Sequence, residues 1–541
     1  MPNILFAMQR FASILIFVLL LATAPFAVAQ ERPTLVVNIV VGSMRSGDLD
    51  RYSKNFTERG IRRLMDNGTT YTEAYYDFSA ISTASGLATL TTGANPAVHG
   101  VVGERWFSHT DAKSISLIAD NKAYPVEFST GTGSYSPHRL SAPTYGDMLL
   151  SENSNSKLFT IAGDALPAIL LNGRRGVAFW AEKNKTYWTT SSAYVENLHK
   201  WINDYNKGEK NKEYSINRWT TLYKAEHYRN SEVGVVEDIK DKSTHLITDL
   251  NLKLDDTLYG QMMYTPAGNT MILRFAEQLM LKEWLGRDND TDILNIYLDP
   301  ARNIAEMYGP ESIEYEDMLY RLDKDLIWFL DAIFEHVEDS SRVVIVLSSD
   351  HGTSPSYNPA GGTPRHRFNH RQMEVIVNAY LGGRYGSDNY VAGYANGSLY
   401  LNHSTLSKKE LKYSEICDEV ATFLLQLQGI STAISATAMR TTSFSEGRTA
   451  LLQQSFFGAR TGDIIIDLVP GCIIEEEDRR SLSTSGYIYD RHVPLVISQQ
   501  GTTKRKVERR VSMTELAPTL CHMMGIARPW ATEEHALEEF K

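Results

Sequence analysis

VVIVLSSDHG, the stretch from Val343 to Gly352, decides the fold of this chain. Its first five residues are apolar and mostly β-branched, which is typical of a strand buried on both faces of a parallel sheet. Ligands of open α/β sheets lie beyond the carboxyl ends of such strands. Asp350 and His351 are delivered to that edge, and both are good ligands for zinc or a similar divalent ion. The alternative is an Asp–His pair that only caps the next turn.

Other segments repeat this alternation of buried strands and amphipathic helices. The apolar runs Thr34 to Val41 and Asp292 to Leu298 predict two more strands, and the apolar stripe within Ser312 to Val337 predicts a long helix. The same patterns predict strands at Asp463 to Leu468 and just after His492, and helices at Phe56 to Asp66, Ile416 to Leu427 and Ser512 to Gly525. The chain is therefore expected to be an α/β protein with a doubly wound, largely parallel central sheet.

A segment rich in small residues, Thr83 to Thr92, follows the first predicted strand–helix unit. Thr83 is expected to cap a helix that runs through Thr91 and stops at Gly93. A hydroxyl at that point lies where the helix dipole favours an anion.

The first 29 residues have the pattern of a secretory signal peptide. Arg10 precedes an apolar run that is too short to span a bilayer, and Ala27-Val28-Ala29 has the small-x-small pattern of a cleavage site. We expect an exported protein, periplasmic or secreted, with no transmembrane segment after cleavage. The formal charge of −11 argues against a nucleic-acid partner.

The region from about 108 to 290 has a degraded pattern and is expected to be a cap inserted into one domain over residues 30–541. The three cysteines, Cys417, Cys472 and Cys521, allow one disulfide at most, and its pairing is open. His366 and His370 are a further candidate ligand pair, although a solvated Arg- and His-rich loop is the commoner meaning of such a segment.

Together these pieces resemble the alkaline phosphatase superfamily, in particular the exported phosphate-irrepressible alkaline phosphatases and the type I phosphodiesterases/nucleotide pyrophosphatases. The resemblance is carried by VVNIVVGSMRSGDLDRY, STASGLATLTTGANPAVHG, MYGPESIEYEDMLYRLDKDL, VIVLSSDHG, YDRHVPLVIS and SMTELAPTL. It implies displacement at phosphorus assisted by two zinc ions, with a Thr or Ser nucleophile.

The resemblance places Thr83 at the nucleophile position and Asp350, His351 and His492 at three ligand positions. The other three ligand positions hold Gly42, Arg302 and Glu306, which are not the family's residues. The family's Asn appears as Glu104, and the stretch TIAGDALPAIL lacks the family's phosphate-contacting bases.

Two hypotheses follow from this pattern. The joint loss of ligands at Gly42, Arg302 and Glu306 favours a catalytically dead or impaired pseudoenzyme that binds a protein partner or a phosphate-containing ligand and holds no metal at high occupancy. The retention of Thr83, Asp350, His351 and His492 favours a metal-dependent phosphomonoesterase or phosphodiesterase with a rearranged or single-metal site, with zinc as the metal. In either case Arg302 is expected to point into the pocket and to pair with Asp350, Glu306 or another acid.

Overall fold

The structure is a computed structural model that describes residues 32–126, 134–182, 187–208, 219–230, 246–248, 262–356, 367–475, 481 and 484–541. The segment from Pro33 to Lys541 forms one compact unit. The predicted signal peptide and His366 lie outside the described residues.

The described residues form nineteen strands and seventeen α-helices. The strands are β1 (Leu35–Val41), β2 (Gly68–Tyr75), β3 (Arg105–Phe107), β4 (Ser114–Ser116), β5 (Leu158–Ala162), β6 (Val177–Ala181), β7 (Trp188–Thr189), β8 (Trp219–Thr220), β9 (Leu246–Thr248), β10 (Asp292–Leu298), β11 (Val343–Ser348), β12 (Arg367–Phe368), β13 (Val391–Ala395), β14 (Ser398–Leu401), β15 (Ile430–Ser435), β16 (Ile464–Leu468), β17 (Ile473–Ile474), β18 (His492–Gln499) and β19 (Arg505–Ser512). The helices are α1 (Ser46–Tyr52), α2 (Ile61–Asp66), α3 (Thr83–Thr92), α4 (Pro96–His99), α5 (Tyr145–Glu152), α6 (Ala165–Asn172), α7 (Lys200–Lys207), α8 (Pro266–Lys282), α9 (Asp299–Tyr308), α10 (Ile313–His336), α11 (His370–Tyr385), α12 (His403–Lys408), α13 (Tyr413–Leu424), α14 (Ala436–Thr441), α15 (Gly447–Gln454), α16 (Ile488–Arg491) and α17 (Leu516–Met524). Short 3-10 turns occupy Ser53–Asn55, Ala225–His227, Ser340–Arg342, Met513–Glu515 and Glu538–Phe540.

Nine strands form the central sheet in the order β19-β2-β18-β11-β1-β10-β5-β6-β7. The neighbours from β11 to β6 all pair in parallel, and only β18 and the edge strand β7 run against the other seven. The prediction of a doubly wound, largely parallel sheet is confirmed. The carboxyl ends of β1, β10 and β11 consequently meet at one edge.

Strand β1 shows why the uninterrupted apolar runs belong in the middle of this sheet. Leu35, Val37 and Ile39 pack into one core, against helices that include α8 and α10. Val36 and Val40 pack into the core on the opposite face, against helices that include α3 and α17. Both faces are buried, so every side chain of the strand except Asn38 is apolar.

Two helix boundaries differ from those that the sequence predicts. The helix expected over Phe56 to Asp66 is confined to α2, because Phe56 ends the 3-10 turn Ser53–Asn55 in extended conformation. The helix expected at Ile416 to Leu427 begins three residues earlier, in α13 (Tyr413–Leu424), and Leu425 is its C-cap. Such shifts are usual for ends defined by capping contacts rather than by the apolar stripe.

Part of the region expected to be an inserted cap, residues 108 to 290, belongs to the central sheet. β5 pairs in parallel with β10, and β6 continues the sheet beyond β5. Three strands of the central sheet, β5, β6 and β7, therefore come from within the expected cap, together with helix α6 between β5 and β6. Their short lengths hid them in a polar, aromatic-rich region.

A second sheet of four strands, in the order β13-β14-β16-β15, was not predicted from the sequence. Helices α11 and α13 pack on it through Val377, Leu381, Ile416 and Val420, which share a core with strand residues such as Leu399. This second sheet places the β14–α12 turn and the start of β16 next to each other.

The described part of the chain contains no helix long and apolar enough to cross a membrane. Cys417, Cys472 and Cys521 are all free thiols.

Candidate functional site

Asp350 and His351 lie just beyond the end of β11, at the edge where β1 and β10 also end. The Asp350 carboxylate is fully buried. Its Oδ1 accepts hydrogen bonds from the backbone N–H groups of Ser43 (2.9 Å) and His351 (3.0 Å) and from the Ser349 hydroxyl (3.3 Å). Its Oδ2 accepts a hydrogen bond from the Tyr297 hydroxyl at 2.8 Å. Burial alone would raise the pKa of Asp350, but His351, the Ser43 N–H and Arg302 bring that pKa below its usual value.

Tyr297 occupies the space that a side chain at position 42 would need. β1 and β10 pair in register, with Val40 opposite Tyr297, so that Gly42 emerges beside the tyrosine ring. A Cβ atom on Gly42 would lie 2.7 Å from the Tyr297 hydroxyl oxygen and 2.8 Å from the Arg302 Cβ. Sequence reasoning missed Tyr297. The signal that could have found it is a large polar residue at the end of one strand, beside a glycine at the end of its neighbour.

Helix α3 brings Thr83 to the same edge. The N-cap is Ser82, not Thr83 as the sequence predicted, because Ser82 has extended backbone angles and its hydroxyl accepts a hydrogen bond from the Ser85 N–H. Thr83 is the first helical residue. Gly86 allows the helix to approach the Asp350 backbone closely. A Cβ atom at this position would overlap the Asp350 carbonyl oxygen, so only glycine fits there.

The Thr83 hydroxyl is buried between an imidazole and a guanidinium. Its Oγ1 lies 3.3 Å from Nε2 of His351, and Arg302 Nη1 donates a hydrogen bond to it at 3.1 Å. His351 Nδ1 lies 2.5 Å from the carbonyl oxygen of Gly352. This carbonyl accepts only from a protonated Nδ1, and Nε2 faces both the Thr83 hydroxyl and, at 3.4 Å, Oδ2 of Asp350.

Arg302 points into the pocket from helix α9. Besides Thr83, its guanidinium lies 3.8 Å from the Asp299 carboxylate, and Nη2 donates a long hydrogen bond to Asn303 at 3.5 Å. Asp299 is therefore an acid of the pocket within ion-pair distance of Arg302. Burial opposes the charge on Arg302, but Tyr297, Glu306, Asp299 and Glu104 hold its pKa above the usual value.

Asp299 begins helix α9 and is buried beside Arg302. Its Oδ2 accepts a hydrogen bond from the Gly163 N–H, while Oδ1, 3.8 Å from Arg302 Nη2, accepts no hydrogen bond from any residue that the structure describes. Burial raises the pKa of Asp299 to about 7, although Arg302 and the Gly163 N–H lower it. Gly163 belongs to the TIAGDALPAIL stretch, so this stretch does line the pocket.

His492 is not joined to the other site residues by any hydrogen bond, ion pair or ring contact within the described part of the chain. It is the first residue of β18, and its Nε2 lies 2.6 Å from the Thr72 carbonyl oxygen. Its ring stacks on Tyr75 at 4.3 Å between centroids. His370, the described member of the other histidine pair, is held by Glu374 at 3.0 Å.

In the ranges that the structure describes, no third His, Cys, Asp or Glu side chain joins Asp350 and His351 to form a group of metal-ligand atoms within 4.8 Å of one another. We call the set Thr83, Tyr297, Asp299, Arg302, Asp350 and His351 the Thr83 pocket. Its centre is the Arg302 guanidinium, which donates a hydrogen bond to the Thr83 hydroxyl at the N-terminus of α3. Such an arrangement attracts an anion.

The fold and the Thr83 pocket define the class of protein. The sequence matches the type I phosphodiesterase / nucleotide pyrophosphatase family over residues 36–492, and the chain belongs to that family, within the alkaline phosphatase superfamily.

Individual relatives agree with this assignment. The chain is 29% identical to alkaline phosphatase PafA of Elizabethkingia meningoseptica over 93% of both chains, and 26% identical to a calcium-transporting ATPase of Myroides odoratus over 92% of this chain and 93% of the relative. The crystal structure of wild-type PafA superposes with a TM-score of 0.87, at 27% identity, covering 94% of this chain and 99% of the other. The resemblance to the alkaline phosphatase superfamily is confirmed.

Proposed function

We propose that this protein is an exported, catalytically silent or strongly impaired member of the family, which binds a phosphate group in the Thr83 pocket without turning it over. The observation that carries the proposal is the Arg302–Thr83 hydrogen bond of 3.1 Å, which directs a fixed cation at the nucleophile position. The support comes from four properties of the pocket.

The first property is the absence of room at Gly42. A carboxylate from the first strand would have to displace the Tyr297 hydroxyl and the Arg302 side chain, since even a Cβ atom would come within 2.7–2.8 Å of them. One of the family's ligands thus has no counterpart, and a tyrosine hydroxyl fills its place.

The second property is the saturation of Asp350. Both of its oxygens already accept hydrogen bonds from protein donors, four in all. A metal ion at Oδ2 would have to break the hydrogen bond from Tyr297 and leave a buried hydroxyl unpaired, at a cost of about 1–3 kcal/mol.

The third property is the charge of Arg302. A zinc ion bound to Thr83 would lie about 2 Å from Oγ1, and that oxygen is 3.1 Å from the guanidinium. The metal and the guanidinium would then be at most about 5 Å apart, and their repulsion is on the order of 6 kcal/mol at an effective dielectric constant near 20. The residues present do not fit two zinc ions.

The fourth property is what the pocket offers in place of metal. The guanidinium supplies several donors in a fixed plane, and the N-terminus of α3 adds backbone N–H groups and the Thr83 hydroxyl. These groups recognise phosphate oxygens. They do not lower the pKa of a hydroxyl as directly bound zinc does, so a bound phosphate ester should stay intact.

One observation favours a second candidate function, a hydrolase with Thr83 as nucleophile and a rearranged or single-metal site. Nε2 of His351 lies 3.3 Å from the Thr83 hydroxyl oxygen, and in the neutral, Nδ1-protonated form of the ring this nitrogen would be close to the reach of a general base. Arg302 would then stabilise charge on the phosphoryl oxygens.

A steady-state assay separates the two candidates. The purified protein, supplied with zinc and given aryl phosphate mono- and diesters, should show turnover far below about 1 s⁻¹, the low end for ordinary enzymes. In parallel, an aryl phosphate should raise the unfolding temperature of the wild type and leave that of Arg302→Gln unchanged.

The Thr83→Ala variant is the control for the assay. Metal-dependent turnover near 1 s⁻¹ that disappears in Thr83→Ala would overturn the proposal in favour of the hydrolase. Turnover that persists in Thr83→Ala would identify a contaminating phosphatase. The absence of any thermal shift with aryl phosphate would refute binding at Arg302.

A further inference from the structure

His109, His403 and Asp463 form a second group of potential ligands, remote in sequence from the residues of the Thr83 pocket. Each offers one atom, and the three atoms lie within 4.8 Å of one another. It is the one such group of His, Cys, Asp or Glu side chains among the residues that the structure describes. We call these three residues the His109 cluster.

Three separate segments build the His109 cluster. His109 lies in the turn between β3 and β4, His403 is the first residue of α12, and Asp463 directly precedes β16 of the second sheet. The pairing of β14 with β16 brings the last two together, because Asp463 donates its backbone N–H to the Leu399 carbonyl. The His109 ring stacks on the His403 ring, with 5.0 Å between centroids.

The distances fit a tetrahedral ion. In a zinc site with bonds of about 2.0–2.1 Å, neighbouring ligand atoms lie roughly 3.3–3.4 Å apart. Asp463 Oδ1 lies 2.9 Å from His403 Nε2 and 3.5 Å from His109 Nδ1. Small side-chain rotations would bring all three atoms to an ion placed between them.

Asp463 has the outer contacts that orient a metal-ligating carboxylate. Its Oδ2 accepts the Leu401 N–H at 2.7 Å, and its Oδ1 accepts the Tyr413 hydroxyl at 2.8 Å. The side chain is 1% exposed, and these donors aim Oδ1 at both imidazoles. Supporting hydrogen bonds of this kind fix ligand geometry in metal sites.

His109 supplies an independent observation. Both of its ring nitrogens are shielded from solvent, and neither has a partner in good hydrogen-bond geometry within the described residues; the nearest polar groups are Asp463 Oδ1, 3.5 Å from Nδ1, and the Thr461 backbone. A ring nitrogen that is shielded from solvent normally has a hydrogen-bond partner. A metal ion at Nδ1 would satisfy the nitrogen that faces Asp463.

We propose that the His109 cluster is a binding site for a divalent transition metal of the zinc class, with an open coordination position. Three protein ligands and an open fourth position are the arrangement of zinc sites that accept an exogenous ligand. The cluster lines a cavity of about 480 Å³, into which that position opens.

Arg440 lines the same cavity and indicates the class of the fourth ligand. Its guanidinium is held by the Gly458 carbonyl oxygen at 3.3 Å and lies over the Phe456 ring. A fixed positive charge opposes a bare cation but favours a metal that carries an anion, such as a carboxylate or a phosphate group.

Zinc titration of the full-length chain tests the site. After removal of metal with a chelator, the wild type should bind one equivalent of zinc in competition with a chromogenic chelator. His109→Gln and His403→Gln should each weaken that binding at least tenfold. Both side chains are partly exposed, 22% and 33%, so the two variants give independent chances of a folded protein.

His370→Gln is the matched control, because His370 is also the first residue of a helix with an Asn N-cap and is also paired with a carboxylate. Its zinc affinity should equal that of the wild type. Zinc binding that survives both cluster variants, or that His370→Gln weakens equally, would overturn the inference. Loss in His351→Gln alone would place the metal in the Thr83 pocket, and would thereby also overturn the proposed function.

Cobalt substitution needs no variant. The wild type loaded with Co²⁺ should show the visible absorption of a four-coordinate site, and inorganic phosphate should shift those bands. A six-coordinate spectrum would contradict the proposed arrangement of three protein ligands and one open position. Bands unaffected by phosphate would refute the anionic fourth ligand.

Discussion

The Thr83 pocket and the His109 cluster contain the same chemical groups, imidazole and carboxylate, but they differ in how many hydrogen bonds the protein already supplies to those groups. In the pocket, Asp350 accepts four hydrogen bonds from protein donors, and a guanidinium lies on the Thr83 hydroxyl. In the cluster, neither shielded nitrogen of His109 has a partner in good hydrogen-bond geometry among the described residues, and Nδ1 lies 3.5 Å from the Asp463 carboxylate. Ligand-type residues therefore do not by themselves make a metal site. What matters is whether the protein has already supplied their hydrogen bonds and charge.

The comparison extends to the neighbouring arginines. Arg302 donates directly to Thr83 and has Asp299 within 3.8 Å, so its charge belongs to the pocket's own network. Arg440 is held by a backbone carbonyl and an aromatic ring at the wall of the cavity. Under the two proposals, the first arginine would take the place of a cation, whereas the second would leave space for one together with its anion.

The largest expected effect comes from restoring the family's carboxylate with Gly42→Asp. The new side chain would collide with the Tyr297 hydroxyl and the Arg302 Cβ, and it would bury a charge next to Asp350. We expect destabilisation of about 3 kcal/mol or more, measured by denaturant unfolding.

Gly47→Asp is the control for that substitution, because a Cβ on Gly47 meets no atom within 4 Å. Its stability should stay within about 0.5 kcal/mol of the wild type. If Gly42→Asp were as stable as this control and gained zinc binding, the pocket would be an adaptable metal site and the contrast between the two regions would fail.

A second prediction concerns the pH dependence of Asp299. Burial raises its pKa to about 7, against 3.8 ordinarily, so the folded protein keeps this proton over a range in which the unfolded chain has lost it. The stability that it contributes is complete below about pH 4 and is lost as the pH rises to 7. Between those limits, the wild type should lose on the order of 3–4 kcal/mol relative to Asp299→Asn.

Chemical unfolding of both proteins at several pH values measures that difference. A difference that stays constant with pH would mean that the pKa of Asp299 is not perturbed. The opposite sign, with the wild type gaining stability as pH rises, would show that Arg302 fully compensates the buried carboxylate, and that the pocket holds a strong ion pair rather than a net cation.

The smallest expected effect is at the His109 cluster. Tyr413→Phe removes the hydroxyl that donates to Asp463 Oδ1 at 2.8 Å while keeping the ring against His403. Loss of such an outer contact should weaken zinc binding roughly tenfold. The competition titration measures it, and Tyr124→Phe, on an exposed side chain, should change nothing. Unchanged affinity in Tyr413→Phe would mean that the hydroxyl does not orient the carboxylate.

The sequence predicted the central sheet because its strands are buried on both faces and carry uninterrupted apolar runs. The convergence of Thr83, Asp350 and His351 was predictable for the same reason, since strand ends in such a sheet share one edge. The substitutions at Gly42 and Arg302 were also visible, and they indicated where the pocket would depart from its relatives.

The contacts that complete the Thr83 pocket and the His109 cluster could not be predicted from the sequence. Tyr297 fills the space at Gly42 through strand register and side-chain volume, neither of which an isolated motif contains. The sequence places His492 just before a strand, as observed, but it does not reveal that the ring stacks on Tyr75. His109, His403 and Asp463 are up to 354 residues apart in the chain, and the unpredicted second sheet brings the last two together.

Zinc content of the double variant His109→Gln/His403→Gln tests the central claim most directly. This variant lacks the proposed second site, so any zinc that remains after equilibration with the metal and desalting reports on the Thr83 pocket. We predict no more zinc per chain than in the same variant with His351→Gln added, because Arg302 and Tyr297 already occupy that pocket. One or two zinc ions per chain, lost on adding His351→Gln, would contradict the account.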